Sequence, residues 1–292
     1  MDTQAPVLPS TVVYPSASAQ VGDGFYVQRA LPIAGRGLAG LDPFLLLDHA
    51  PPTTFGPAAT PRGVGPHPHR GFETVTLLYR GDLRHRDSAG NAGLLGVGDV
   101  QWMTAGSGSV HEELHGPLLT REGGALELVQ LWVNLPARDK GAPPHYQNLR
   151  AGTFPVVPLT EAGGNYVRLV AGVWEGFTGP AKTYTPLTVA DVYLDAGVET
   201  AIALDERWHT GVYLLEGGIE VNGQAVDRHG VATVRDEREV AIKAFAKTHL
   251  LFLSGLPIAE PIAHSGPFVM NTEEEVRIAA REYREGLYGA LS

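Results

Sequence analysis

The chain has 292 residues, of which 43% are hydrophobic and 18% are charged, a composition that is typical of globular proteins and not of disordered ones. Its formal net charge of -10 disfavours electrostatic binding of nucleic acid or anionic lipid. Because there is no cysteine, disulfides, thiol catalysis, thiolate-bound zinc and iron–sulfur clusters are excluded.

The start of the chain carries no recognisable targeting signal. Residues 1–10 have neither the basic beginning nor the apolar stretch of a signal peptide. No segment approaches the ~18 uninterrupted apolar residues that a membrane-spanning helix needs. The sequence therefore predicts a cytoplasmic protein without a membrane span.

Short apolar segments follow one another through most of the chain, each bounded by Gly, Pro, Asp or Asn. They are rich in Val, Leu, Thr and aromatic residues, which favour strands of sandwiches or barrels. The 36 glycines and 22 prolines fit the tight turns that such a fold needs. The clearest segments are residues 72–79, 126–135, 166–173, 190–194, 211–221 and 249–253.

The C-terminal segment has a different period. Thr272 and Glu275 have the spacing of a capping box, and Gly286 stands where a helix would end. The pattern predicts a single helix over residues 272–287. Its apolar side chains form one stripe: Val276, Ala279, Ala280, Tyr283 and Leu287.

A weak internal repeat is present. Residues 78–83 resemble residues 214–219, and residues 131–136 resemble residues 252–257. Chance similarity between two hairpins is the alternative, but the common order and spacing favour a duplicated β-barrel.

The most informative local motif is His67-Pro68-His69. Successive side chains of a strand point to opposite faces, so His67 and His69 would share a face about 7 Å apart along the strand. Two imidazoles in this arrangement can converge on one metal ion, although an isolated His-x-His is more often a pair of surface histidines. A second pair is therefore needed to support a metal site.

His111 and Glu113 supply that second pair. If the segment is extended, they share one face and Glu112 points to the other. Three imidazoles and a carboxylate suit Fe(II), Mn, Ni, Cu, Co or Zn and suit Ca or Mg poorly. A sheet that rolls into a barrel can bring the two strands opposite each other.

Other polar residues compete for a place in this site. Glu73 keeps the parity of the His67 pair, so it rivals Glu113 as the fourth ligand or could contact a ligand. His115 shares the parity of His111, but Gly116-Pro117 should end the strand there. We interpret the remaining candidates as solvated or structural: His49, His85, Glu112 and His145.

The Gly106-Ser107-Gly108-Ser109 run lies just before His111. It lacks the Lys-Ser/Thr and the following helix of a phosphate-binding loop, and Ser109 lacks the surroundings of a catalytic nucleophile. A tight turn that leads into the ligand strand is the favoured interpretation. Strand parity further predicts that Phe72 points away from the metal, and Trp102 is expected in the core.

Four segments of the chain resemble the pirin family. They are residues 41–48 (LDPFLLLD), 67–76 (HPHRGFETVT), 98–106 (GDVQWMTAG) with the later Val110-His111-x-Glu113, and 266–272 (GPFVMNT). The resemblance implies an all-β bicupin, with two antiparallel cupin (jelly-roll) barrels in tandem and a C-terminal helix. It also implies one iron ion held in the first barrel by His67, His69, His111 and Glu113, which favours Glu113 over Glu73.

The repeat and the resemblance together predict two domains. The Pro/Gly-rich residues 136–144 place the boundary, which gives a metal-binding barrel in residues 1–140 and a second barrel in residues 141–292. No His-x-His occurs after residue 69. At an offset of 136, Ala203 and Asp205 take the places of the first histidine pair, so the second barrel is predicted to bind no metal.

The resemblance implies a quercetin 2,3-dioxygenase-like oxidoreductase that opens a flavonol with O₂ and releases carbon monoxide. Glu113 would be both a ligand and the general base for the flavonol hydroxyl. The alternative is an iron-binding, pirin-type transcriptional co-regulator without physiological turnover, which would need a protein partner. A third possibility is a metal-binding relic without activity, because one fold hosts many functions.

Overall fold

The computed structural model describes residues 11–160 and 163–291, and most of them lie in strands. Residues 1–10, where the sequence predicts no signal peptide, lie outside the described residues. The first half of the chain contains β1 (Thr11–Tyr14), β2 (Ala17–Val21), β3 (Phe25–Leu31), β4 (Phe44–Phe55), β5 (Gly63–His69), β6 (Phe72–Arg80), β7 (Leu83–Asp87), β8 (Ala92–Leu95), β9 (Val100–Thr104), β10 (Ser109–His115), β11 (Gly124–Asn134) and β12 (His145–Leu149).

The second half contains β13 (Val156–Pro158), β14 (Tyr166–Ala171), β15 (Val173–Trp174), β16 (Phe177–Thr178), β17 (Leu187–Leu194), β18 (Glu199–Ala203), β19 (His209–Glu216), β20 (Ile219–Val221), β21 (Gln224–Val226), β22 (Val231–Val234), β23 (Glu239–Ala244), β24 (Thr248–Gly255), β25 (Ala263–Ser265) and β26 (Phe268–Met270). Within the described ranges two α-helices accompany the strands, α1 (Pro117–Glu122) and α2 (Glu273–Arg284), together with short 3₁₀ turns.

Each barrel is made of a seven-stranded and a four-stranded antiparallel sheet. The first barrel has the strand orders β12-β9-β6-β11-β4-β3-β2 and β5-β10-β7-β8. The second has the orders β1-β22-β19-β24-β17-β14-β13 and β18-β23-β20-β21. The predicted all-β fold with two antiparallel barrels and a C-terminal helix is confirmed.

The two barrels pack through their seven-stranded sheets. Alternate residues of β6 face opposite ways: Val75 and Leu77 belong to a core shared by both barrels, whereas Leu78 belongs to the core inside the first barrel. This alternation follows from the period of two in a strand. Both faces of the sheet are therefore buried at β6, where residues 72–78 are all buried, including Glu73, Thr74 and Thr76.

Two strands join the sheet of the other barrel. β1 pairs with β22 of the second barrel, and β12 pairs with β9 of the first. β12 comes after residue 141 but belongs to the seven-stranded sheet of the first barrel. The division of the chain between residues 140 and 141 therefore stays a prediction.

The strand registers correct one detail of the internal repeat. Leu128 of β11 pairs with Leu78 on β6, and Leu250 of β24 pairs with Leu214 on β19. Residues 78–83 match residues 214–219, so Leu250 is the equivalent of Leu128. The sequence match of residues 131–136 with 252–257 was therefore wrong by one residue.

The C-terminal helix is confirmed, with the predicted cap. Thr272 accepts a hydrogen bond from the Glu275 amide, and the Glu275 side chain accepts one from the Thr272 amide. α1 was not predicted, because Pro117 was interpreted only as the end of a strand, whereas it also begins a six-residue helix. None of the helices in the described ranges is long and apolar enough to cross a membrane.

Candidate metal centre

The centre lies on the four-stranded sheet of the first barrel, where β10 runs between β5 and β7. His111 of β10 lies opposite His67 on β5, and Ser109 lies opposite His69. The β5 register shifts between His111 and Glu113, so that Glu113 lies opposite Val64. The side chains of His111 and Glu113 are both buried.

The three imidazoles of this sheet converge. The ring centroid of His111 lies 4.3 Å from that of His67 and 4.8 Å from that of His69, and one nitrogen of each ring lies within 4.8 Å of the others. Burial lowers the pKa of His69 and of His111 well below 6.5, and the neighbouring imidazoles act in the same direction. These two rings are therefore neutral, the form that binds a metal.

Hydrogen bonds orient His67. Its Nδ1 lies 2.8 Å from the Gly65 carbonyl oxygen, which can only accept, so Nδ1 carries the proton. The lone pair of Nε2 is then available as a ligand.

Glu113 extends the cluster toward the interior of the barrel. Its Oε1 accepts hydrogen bonds from Thr76 Oγ1, at 2.9 Å, and from Gln101 Nε2. Its carboxylate lies within 4.8 Å of ligand nitrogens of His111 and His85. His111 is thus shared by two groups of side chains, one with the histidines of β5 and one with Glu113.

His85 is the residue that the sequence analysis missed. It was interpreted as solvated or structural, yet it is fully buried opposite Glu113 on β7. Its Nε2 donates to Asp87 Oδ2 at 3.3 Å, and its ring stacks on Tyr146 at 4.7 Å. The available signal was the alternation of β7, which puts His85 on the same buried face as Leu83 and Asp87. Nothing in the sequence, however, indicates that β7 pairs with β10.

Glu73 does not belong to the centre, and its predicted parity was wrong. Gly71 has a φ of +86° and ends the alternation between β5 and β6, and a Cβ there would collide with the Val269 carbonyl oxygen. Glu73 therefore points to the side of the shared core, where Thr104 Oγ1 donates to it at 2.7 Å. Burial raises the pKa of Glu73 to about 7.

The same break reverses the prediction for Phe72. Its ring is fully buried and packs edge-on against His69, with 5.0 Å between centroids, and Trp132 contacts both rings. These two aromatic side chains form one wall of the centre. Trp102 lies in the shared core, as predicted.

The other candidates lie outside the centre. Glu112 points outward to Arg86, at 2.8 Å, and His115 approaches the Gly24 carbonyl oxygen, at 3.0 Å. His49 lies between the barrels and approaches the Tyr213 hydroxyl, at 3.2 Å. His145 is exposed. The Gly/Ser run is a turn, and β10 begins at its last residue, as expected.

The donor set fits a transition-metal ion. His69 Nδ1, His85 Nδ1 and both ring nitrogens of His111 are buried and have no hydrogen-bond partner among the described residues. Buried polar atoms are normally satisfied, so unpaired imidazole nitrogens that face one another indicate an ion at their centre. The assignment of His67, His69, His111 and Glu113 as its ligands stays a prediction.

Comparisons with known proteins agree with this arrangement. The Pirin family model matches residues 24–133, and the model of the Pirin C-terminal cupin domain matches residues 189–289. The first match contains the whole centre, and the second covers most of the second barrel and α2.

Several relatives are similar over nearly the whole chain. A Pseudomonas aeruginosa protein provisionally named a quercetin 2,3-dioxygenase is 45% identical over 92% of this chain and 93% of its own. A pirin-like protein of Solanum lycopersicum is 37% identical over 92% of this chain and 88% of its own. The crystal structure of an Acinetobacter baumannii quercetin 2,3-dioxygenase has a TM-score of 0.92 and 42% identity, covering 96% of this chain and 97% of that one.

Proposed function

The chain belongs to the pirin family, and from this premise we propose that it is a metal-dependent dioxygenase that opens flavonols such as quercetin with O₂ and releases carbon monoxide. The observation that carries the proposal is the convergence of the His67, His69 and His111 imidazoles on one sheet, with the Glu113 carboxylate close to His111. A cytoplasmic location and the absence of direct nucleic-acid binding stay predictions from the sequence.

One transition-metal ion would be held by His67, His69, His111 and Glu113, and we propose Fe(II) for it. When bound, the ion supplies Lewis acidity toward the flavonol oxygens and redox chemistry with O₂. Imidazole ligands bring no charge to the ion, so Glu113 would be the one anionic ligand of the set. Such a set favours an additional anion, such as a deprotonated hydroxyl of the substrate.

Glu113 is the group that would take the proton from the flavonol hydroxyl. Both of its hydrogen bonds, from Thr76 and Gln101, fall on Oε1, so Oε2 is the oxygen that would hold the ion or, when detached from it, accept the proton. Gln101 is held in turn by Tyr146, whose hydroxyl donates to Gln101 Oε1 at 3.4 Å. The carboxylate is therefore fixed before substrate binds, as general base catalysis requires.

Turnover of quercetin tests the proposal. The Fe(II)-loaded protein, supplied with quercetin in air, should consume O₂, lose the flavonol absorbance and release carbon monoxide. Glu113→Gln should lower the rate by about 100-fold or more, because general base catalysis is commonly worth that much. The matched control is Glu112→Gln, on the outer face of the same strand, which should keep the rate.

Metal content is measured in the same samples, so that loss of the ion is distinguished from loss of the base. No carbon monoxide above the metal-free background would contradict the dioxygenase proposal. The alternative of an iron-binding regulatory protein would then be tested by binding to a protein partner.

A further inference from the structure

The second barrel repeats the sheet that carries the metal centre. β18, β23, β20 and β21 follow the same order as β5, β10, β7 and β8. His115 lies opposite Leu83 in the first barrel, and Ala244 lies opposite Ile219 in the second. Because residues 78–83 match residues 214–219, Ala244 is the equivalent of His115, and the positions of the centre can be located in the second barrel.

All four of these positions carry aliphatic side chains. Val240 stands four residues before Ala244, as His111 stands before His115, and Ile202 lies opposite Val240 as His67 lies opposite His111. The equivalents of His67, His69, His111 and Glu113 are thus Ile202, Leu204, Val240 and Ile242. The predicted Ala203 and Asp205 were wrong by one residue, and hydrocarbon side chains offer no atom to a metal.

A cavity of about 420 Å³ opens beside this sheet. In the first barrel Trp132, which lies opposite Thr74 and Leu46, fills the corresponding space against His69. In the second barrel Ser254 lies opposite Thr210 and Thr188, at the equivalent place. The exchange of an indole for a hydroxymethyl group accounts for the space.

The walls of the cavity are mainly apolar. Trp174 and Phe252 meet edge-on with 5.2 Å between centroids, and Trp208, Ile202 and Leu204 also line the space. Aromatic walls of this kind favour a planar ring system. The volume lies within the ~300–1,000 Å³ range of sites for small organic molecules.

The polar groups of the cavity limit the charge of its ligand. Thr188 and Ser254 line the space, and the Ser254 hydroxyl, which is hydrogen-bonded to that of Thr210 at 2.8 Å, has capacity for one more bond to a ligand hydroxyl. Asp205 and Glu175 lie at its edge, so a carboxylate, sulfonate or phosphate on the ligand would be repelled. Arg207 pairs with Asp205 and offsets part of this charge.

We propose that this cavity of the second barrel is a binding site for an uncharged, planar aromatic molecule that carries a hydroxyl group, and that it binds without a metal. The site is separate from the centre of the first barrel and does not depend on the function proposed for that centre.

Calorimetry with 2-naphthol tests the site on the full chain after its metal has been removed. The wild-type protein should bind one molecule per chain, and 2-naphthol-6-sulfonate should bind at least about tenfold more weakly because of the acidic edge. Ala203 is exposed and lines the cavity, so Ala203→Trp should fill it and weaken 2-naphthol binding by about tenfold or more. Ala225→Trp, at an exposed position of β21 outside the cavity, should bind as wild type does.

Thermal unfolding checks that the Ala203→Trp and Ala225→Trp variants fold. If Ala203→Trp does not fold, Trp208→Ala, which removes one wall of the cavity, takes its place. The metal content of the reloaded variants should equal that of wild type. Absence of binding up to millimolar 2-naphthol would overturn the proposal. So would binding that neither Ala203→Trp nor Trp208→Ala weakens, because the ligand would then lie elsewhere, for example at the histidines of the first barrel.

Discussion

His111 lies directly opposite His67 across the β5–β10 pair, with 4.3 Å between their ring centroids. Their separation is therefore set by the spacing of neighbouring strands and not by a loop. A centre built on paired strands is held close to its binding geometry before an ion arrives. The predictions below follow from this rigidity and from the charges buried around it.

Replacing both histidines of β5 should remove the metal. His67→Ala with His69→Ala takes away two of the three imidazoles whose nitrogens converge. The second group, His85, His111 and Glu113, remains but lacks both β5 imidazoles of the proposed ligand set. Metal analysis of the purified variant should fall from about one ion per chain to almost none. His145→Ala, at an exposed histidine, should retain the ion, and a retained ion in the double variant would contradict the assignment.

Glu113 and Glu112 should differ in their effect on metal affinity. Glu113→Ala removes the inward carboxylate and should weaken binding by about tenfold or more. Glu112→Ala breaks only the outward contacts with Arg84 and Arg86, which are partly exposed, and should leave the affinity unchanged. Competition with a metal-responsive dye gives both constants, and equal effects would show that β10 does not present these residues to opposite faces.

Glu73→Gln should stabilise the protein in a pH-dependent way. Burial raises the pKa of Glu73 from 4.5 to about 7, so the folded state disfavours the ionised carboxylate. The free energy by which ionised Glu73 destabilises the folded state is zero below pH 4.5, grows as the pH rises and reaches about 3 kcal/mol above pH 7. Gln keeps an acceptor for Thr104, so it should remove this cost.

Urea unfolding of wild type and Glu73→Gln at pH 4 and pH 8 measures the difference. The variant should be more stable only at pH 8. Equal stability of the two proteins at pH 8 would mean that Glu73 is compensated by a partner when it is ionised.

Much of this centre could be predicted from the sequence, because the period of a strand is local. It pairs His67 with His69 and His111 with Glu113, and it turns Glu112 away. The period fails as a guide where the backbone leaves the strand. Gly71 adopts a positive φ, and the residues of β6 that follow it are displaced to the opposite face. Only the family resemblance, which favoured Glu113 over Glu73, gave the choice that the structure supports.

Which strands become neighbours is not a local property. His85 enters the centre because β7 pairs with β10, and that pairing depends on how the whole sheet closes. The exchange of β1 and β12 between the barrels has the same origin. Neither β1 nor β12 is among the segments predicted from the sequence pattern, which in any case does not specify the sheet that a strand completes.

The contact between the barrels contains a buried charged group whose loss should be costly. Asp191 of β17 is fully buried and accepts hydrogen bonds from Arg168, at 2.5 Å, His249, at 2.9 Å, and Tyr79 of the first barrel, at 2.6 Å. Burial alone would raise the pKa of Asp191, but the Arg168 guanidinium and these hydrogen bonds hold it well below 3.8. The carboxylate therefore contributes stability above pH 4, and that contribution is lost as the pH falls toward the lowered pKa.

Asp191→Asn should destabilise the protein by about 3–5 kcal/mol at pH 7, because it leaves the buried Arg168 guanidinium without its partner. Tyr79→Phe removes one hydrogen bond and should cost about 1 kcal/mol. The matched control is Glu206→Gln, which breaks an exposed pair with Arg238 and should leave the stability almost unchanged. Chemical unfolding at pH 7 gives the three values. An effect of Asp191→Asn no larger than that of Glu206→Gln would contradict a stabilising buried ion pair of Asp191 with Arg168.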